Sequence, residues 1–191
     1  MQNNFKKQNR VVPGKIMPKD PISTLSSMIF PAAGIVIGVI SCDVYTAVSL
    51  ALLGLASAGF HWIGKRGSFW HRADEFMIYV SLHAVIVQIF NGHPIAILAG
   101  IAVLVFMVSN LDDTAVNTFA IVPLAMLIGI AGLWFDHGYI PAIVVFAVSL
   151  LAGFVRVIIQ PRLPIKYVDL SHSIWHFLAA GDFVVAWYFA Q

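Results

Sequence analysis

The sequence predicts an all-α membrane protein with seven transmembrane helices and a cytoplasmic N-terminus. Three observations carry this: the apolar composition, seven apolar runs near spanning length, and basic residues confined to alternate connections. Of the 191 residues, 60% are hydrophobic and only 10% charged, against about 25% charged in an ordinary soluble domain. Mean hydropathy is +0.87. A soluble chain of this make-up would have too little polar surface to cover itself.

Residues 1–20 are polar and basic, with Pro13 and Pro18, and read as a cytoplasmic tail; residues 21–191 read as one seven-helix domain. The expected spans are 22–42, 44–63, 73–90, 94–109, 115–135, 139–160 and 171–190, each close to the ~20 residues that cross ~30 Å of hydrocarbon. Connections are expected at Ser41 to Asp43, Gly64 to Arg72, Asn91 to Pro94, Asn110 to Thr114, Asp136 to Gly138 and Gln160 to Leu170. Val39-Ile40-Ser41-Cys42 has the look of a lipoprotein cleavage box. The stretch before it overruns the 15 to 30 residues of a usual signal peptide, so an ordinary first helix is expected.

All eleven Lys and Arg fall on one side of that arrangement. Lys6, Lys7, Arg10, Lys15 and Lys19 lie in the tail, Lys65, Arg66 and Arg72 after the second span, and Arg156, Arg162 and Lys166 around the sixth connection. The positive-inside rule then puts the N-terminus in the cytoplasm and, with seven crossings, the C-terminus on the far side. Adding or removing one crossing would split the basic set across both faces.

Ionisable residues inside membrane helices are costly, so each is a functional candidate. Ser57 and His61, four apart, share one face near the cytoplasmic end of the second span. Asp74 opens the third span, and His172 and His176, again four apart, open the seventh. Five polar side chains are thereby brought to one depth. Three neutral imidazoles suit a tetrahedral zinc site with one open position, where bound water loses its proton near pH 7. Asp74 is placed to act as general base and later acid, and Ser57 to hold a substrate carbonyl or the developing oxyanion. A lone His pair at this spacing is a modest signal, since many such pairs only pack; the third histidine and the neighbouring acid strengthen it.

Gly54-Leu55-Ala56-Ser57-Ala58-Gly59-Phe60-His61, then Asp74-Glu75-Phe76-Met77-Ile78-Tyr79, then His172-Ser173-Ile174-Trp175-His176 together resemble the alkaline ceramidase family. That family falls in a wider superfamily of seven-helix proteins that includes adiponectin-type receptors and bacterial hemolysin III proteins. The resemblance implies zinc held by His61, His172 and His176, with Asp74 touching the metal-bound water and Ser57 completing the site. Its specific motifs occupy only the second, third and seventh spans. There are departures. The tail carries a single acid, Asp20, where ceramidases with a calcium site have an acidic cluster, so no such site is expected. The stretch from His61 to Asp74 is slightly longer than in the ceramidases, and Asp182 stands where the family has small residues.

Asp182 lies about 9 Å along the helix from His176 at a rise of 1.5 Å per residue; it either contacts a substrate head group or bridges to another helix. Trp175, between two expected ligands, packs or lines a lipid entry. The other histidines read plainly: His83 faces away from the site, His93 and His137 lie in far-side connections, and His71 in a basic cytoplasmic loop. Trp62, Trp70, Trp134, Trp187 and Tyr188 read as interfacial aromatics. No lysine falls in the seventh span, which argues against a retinal Schiff base.

The function expected is a zinc-dependent intramembrane hydrolase, cleaving an amide bond in a membrane lipid within a plasma membrane of the bacterial inner-membrane kind. Its partners are the bilayer and its lipid substrate, with no nucleic acid. An ester-cleaving lipid hydrolase uses the same parts. A receptor or hemolysin-like protein with a structural zinc is the non-enzymatic alternative, and a transporter is disfavoured because no broken-helix repeat is evident.

Overall fold

The computed structural model describes residues 20–63, 67–109 and 122–191, and among these every regular element is a helix. The expectations for the tail, for Lys65 and Arg66, and for the connection at Asn110 to Thr114 lie outside the described residues, as does the start of the fifth span. The order is α1 (Pro21–Ser26), α2 (Ile29–Ser41), α3 (Val44–Ile63), α4 (Phe69–Ile89), α5 (Pro94–Val108), α6 (Val122–His137), α7 (Tyr139–Gly153) and α8 (Ile165–Phe189). A π-helical turn, Phe154–Ile159, and a 3₁₀ turn, Gln160–Arg162, connect α7 to α8.

Local chemistry sets the ends. Asp20 caps α1 by accepting the Ser23 N–H at 2.8 Å, with Pro21 at the first helical position, where its missing N–H costs nothing. Asp43 accepts the Thr46 N–H at 3.0 Å ahead of α3, and Ser68 accepts from His71 at the start of α4. Gly138, at φ 94°, makes the turn between α6 and α7 that a side chain would strain.

Three expectations are corrected. The first span is two helices: Pro31 has no N–H to give the Ser27 carbonyl, and the chain breaks one turn earlier at Ser27 and Met28. Second, residues 165–170, expected as connection, are the first turns of α8, and Phe69 to Arg72 belong to α4. Hydropathy marks where a helix enters hydrocarbon, whereas Pro164 and Ser68 mark where it begins. Third, His71 is therefore no loop residue: it is buried in the first turn of α4, 3.5 Å from Glu75.

Helices α3 and α4 pack on each other, α3 also receives α1 and α2, and α8 lies against α7, α1 and α4. The break in the first span fits because residue 54 is glycine. A Cβ there would stand 2.2 Å from the Pro31 ring and 2.8 Å from the Ser27 carbonyl. The core gathers Phe30, Ile37, Leu50, Leu53, Ile89, Leu133, Phe183 and Trp187. Trp187 is 3% exposed, so it is a core residue and not an interfacial one; Trp62, Trp134 and Tyr188 are exposed as expected.

Outside, the surface is apolar. Val39, Phe135, Ile95 and Ile40 are among many large side chains left exposed, a continuity that soluble proteins avoid. Three helical stretches, Pro21–Ser41, Val44–Ile63 and Tyr139–Arg162, are long and apolar enough to cross a membrane, and Ile97–Phe106 and Val122–His137 are shorter apolar ones.

Candidate metal centre

The centre forms where the end of α3, the start of α8 and the short α1 meet. His61 lies in the last turn of α3, whose carbonyl end is tied down by Asp20 N–H donating to the His61 carbonyl at 3.3 Å. His172 and His176 lie two and three turns into α8, on one face, as their spacing of four requires. One ring nitrogen from each of His61, His172 and His176 lies within 4.8 Å of the others. The His61 and His172 Nε2 atoms are 3.1 Å apart. Two nitrogens on a tetrahedral zinc at ~2.0–2.1 Å stand roughly 3.3 Å apart, so this pair matches such an ion, with the His176 nitrogen within 4.8 Å of both.

The broken first span supplies what sequence reading missed. Ser26 Oγ donates to the Ser23 carbonyl at 3.1 Å, and its oxygen is then the acceptor for His176 Nδ1, 2.8 Å away. With the hydroxyl proton given to Ser23, the His176 proton is assigned to Nδ1 and the lone pair to Nε2. Outer partners of this kind fix ligand tautomer and orientation. Phe30 packs edge-on to the same ring at 5.7 Å. Ser26→Ala is therefore expected to weaken zinc binding about 10–100-fold without unfolding the protein, as titration with a competing chelator will show.

Ser57, almost fully buried, is one turn before His61. Its oxygen accepts from Ser27 Oγ at 3.1 Å, and its hydroxyl faces the Asp74 carboxyl. Ser27 also lies 2.8 Å from the Ser23 carbonyl. Asp74 thus faces the helix that carries His61. Trp70, expected at an interface, packs its ring on Gly59, bracing α4 against α3. The sequence signal for α1's part was the Ser26-Ser27 pair four and five residues ahead of Pro31, a polar step inside an apolar run.

The remaining candidates are placed as follows. Trp175 is half-buried, with its ring tilted against His172 at 5.4 Å and His176 at 5.5 Å. Asp182 is buried on α8 and accepts from Ser149 of α7 at 2.7 Å, so its contact is a bridge between helices. His83 stands apart from the centre, its Nδ1 2.7 Å from the Tyr45 hydroxyl. A cavity of about 1000 Å³ lies between α4, α5 and α6, lined by Tyr79, His83, Phe90, Val103 and Ala125 among others. None of the centre's side chains lines it, and the reacting group is not placed there.

No family model, curated protein or solved structure matches this chain.

Proposed function

We propose that the protein is a zinc-dependent hydrolase of seven membrane spans that cleaves an amide bond in a membrane lipid near the cytoplasmic face. The observation that carries this reading is the meeting of three imidazole nitrogens within 4.8 Å; Ser57, one turn before His61, faces the Asp74 carboxyl. His61, His172 and His176 would hold the ion. Zinc in such a site supplies a water of lowered pKa and a Lewis acid for the acyl carbonyl.

The rest of the chemistry falls to the chain. Asp74 takes a proton from the attacking water and delivers it to the departing amide nitrogen as the C–N bond breaks and a C–O bond forms. Ser57, which faces that carboxyl from α3, would orient it. A lipid reaches such a centre from the apolar surface, keeping its acyl chain in hydrocarbon.

A panel of N-acyl and O-acyl lipids, incubated with purified protein, tests the reading. Free fatty acid should appear from amides and be abolished by a zinc chelator. Release from esters alone would move the substrate class, and a blank panel from zinc-loaded protein would leave the zinc structural. The seven-span arrangement predicts that a C-terminal reporter active only in the cytoplasm is silent; a strong signal would overturn the count.

A further inference from the structure

The cavity between α4, α5 and α6 stands apart from the metal centre and has a shape and a charge of its own. It is lined from Tyr79, which packs with Val103 and Leu104, along α4 to Phe90, about 16 Å further at 1.5 Å per residue. Its volume of about 1000 Å³ is at the top of the ~300–1,000 Å³ range of small-molecule pockets, which suits one long chain with a small head. None of the described side chains of α5 is buried. That helix comes close to α4 at Gly100, where a Cβ would overlap the His83 ring.

Two observations say what fills this space. Ile95, 70% exposed, lines it as well, so the cavity is open to the apolar exterior and an alkyl chain can enter without crossing water. Apolar walls that face a void lose their van der Waals partners, and in a bilayer the filling at hand is an alkyl chain. The second observation is the mouth, at the end of α4 remote from Asp74. Asn91, His93 and Asp136 line it together with the Phe90 and Phe135 rings. His93 Nδ1 already accepts the Ile95 N–H at 3.3 Å, which leaves the Asp136 carboxylate and the Asn91 carbonyl as oxygen acceptors. None of the eleven Lys and Arg lies in the turns at this end, residues 42–43, 90–93 and 138, so the charge these turns present is negative. An ammonium brings three N–H donors, is drawn to a carboxylate and favours aromatic faces.

We propose that this cavity is a second lipid site, which takes a single-chain alkylamine with its chain along α4 and its ammonium at Asp136. The site is independent of the zinc reading, since no side chain of the metal centre lines it.

Photolabelling of the full-length protein in nanodiscs of neutral lipid tests this. Hexadecylamine, hexadecanol and hexadecanoic acid, each with a diazirine in mid-chain, are activated by light and the labelled residues are sequenced. Adducts on Val39 and Ile40, exposed on α2, report plain partition into the bilayer, and adducts on the cavity lining are divided by them. The ratio for the amine should exceed that for the alcohol about tenfold or more, and the acid should fall below the alcohol. Asp136→Asn should bring the amine to within about twofold of the alcohol, whereas Asp136→Glu, which keeps the charge, retains part of the excess. Asp136 is exposed, so neither change disturbs the core. Val103→Phe, which fills the inner end, should cut the lining adducts of all three labels; should that variant not fold, the Asp136 pair decides. Equal ratios for the three labels, lining adducts no more frequent than those at Val39 and Ile40, an excess of amine unchanged in Asp136→Asn, or lining adducts undiminished in folded Val103→Phe overturns the proposal.

Discussion

Asp74→Asn is expected to keep the fold and the zinc yet lower turnover of the lipid amide by ~10² or more, the usual scale of general acid and base catalysis. An asparagine preserves the shape at the head of α4 and can still accept from Ser57, whose hydroxyl faces it. What it loses is the ability to take a proton and return it. The change therefore separates a proton carrier from a merely structural acid. Ser57→Ala should give a smaller loss with zinc retained, because it removes the anchor of Asp74 and not the carboxyl. Steady-state rates beside zinc content in the same preparations check both. Full turnover in Asp74→Asn with zinc bound would remove Asp74 from the mechanism while leaving the three-histidine centre standing.

The second large effect concerns the ion itself. Purified protein should carry about one zinc per chain, and His61→Ala, His172→Ala or His176→Ala should each lose most of it, since two imidazoles bind far more weakly than three. Hydrolysis should vanish with the metal. His83→Ala is the internal control. That ring bonds to Tyr45 and stands outside the centre, so zinc should stay. Equal loss in all four variants would indicate general unfolding, which a thermal melt of each would reveal.

Much of this was legible in the sequence because membrane helices write their positions in hydropathy. The expected span at 44–63 coincides with α3, and the i, i+4 spacing of His172 and His176 put both on one face of α8. Pairing distant segments is harder. His61 and His172 are 111 residues apart; their shared depth, read from flanking basic residues, and the family resemblance suggested a meeting.

The misreadings have a common physical cause. Polar residues near an interface were taken as loop because hydropathy reports solvent and not backbone hydrogen bonding; hence the late start given to α8 and the loop assigned to His71. The break at Ser27 was missed although Pro31 announces it, because a proline inside an apolar run is often tolerated in membrane helices. That break is what carries Ser26 to His176. Trp187 was assigned to an interface because it lies near an expected membrane boundary, whereas the neighbours of α8 bury it.

The central claim is that zinc sits between three imidazoles, and X-ray absorption at the zinc edge of the purified, full-length protein tests it most directly. The account predicts a first shell of light atoms near ~2.0–2.1 Å, with the outer-ring scattering of about three histidines, falling to about two in any residual zinc of His172→Ala. A sulfur shell, a shell without imidazole scattering, or a spectrum unchanged by His172→Ala would contradict it.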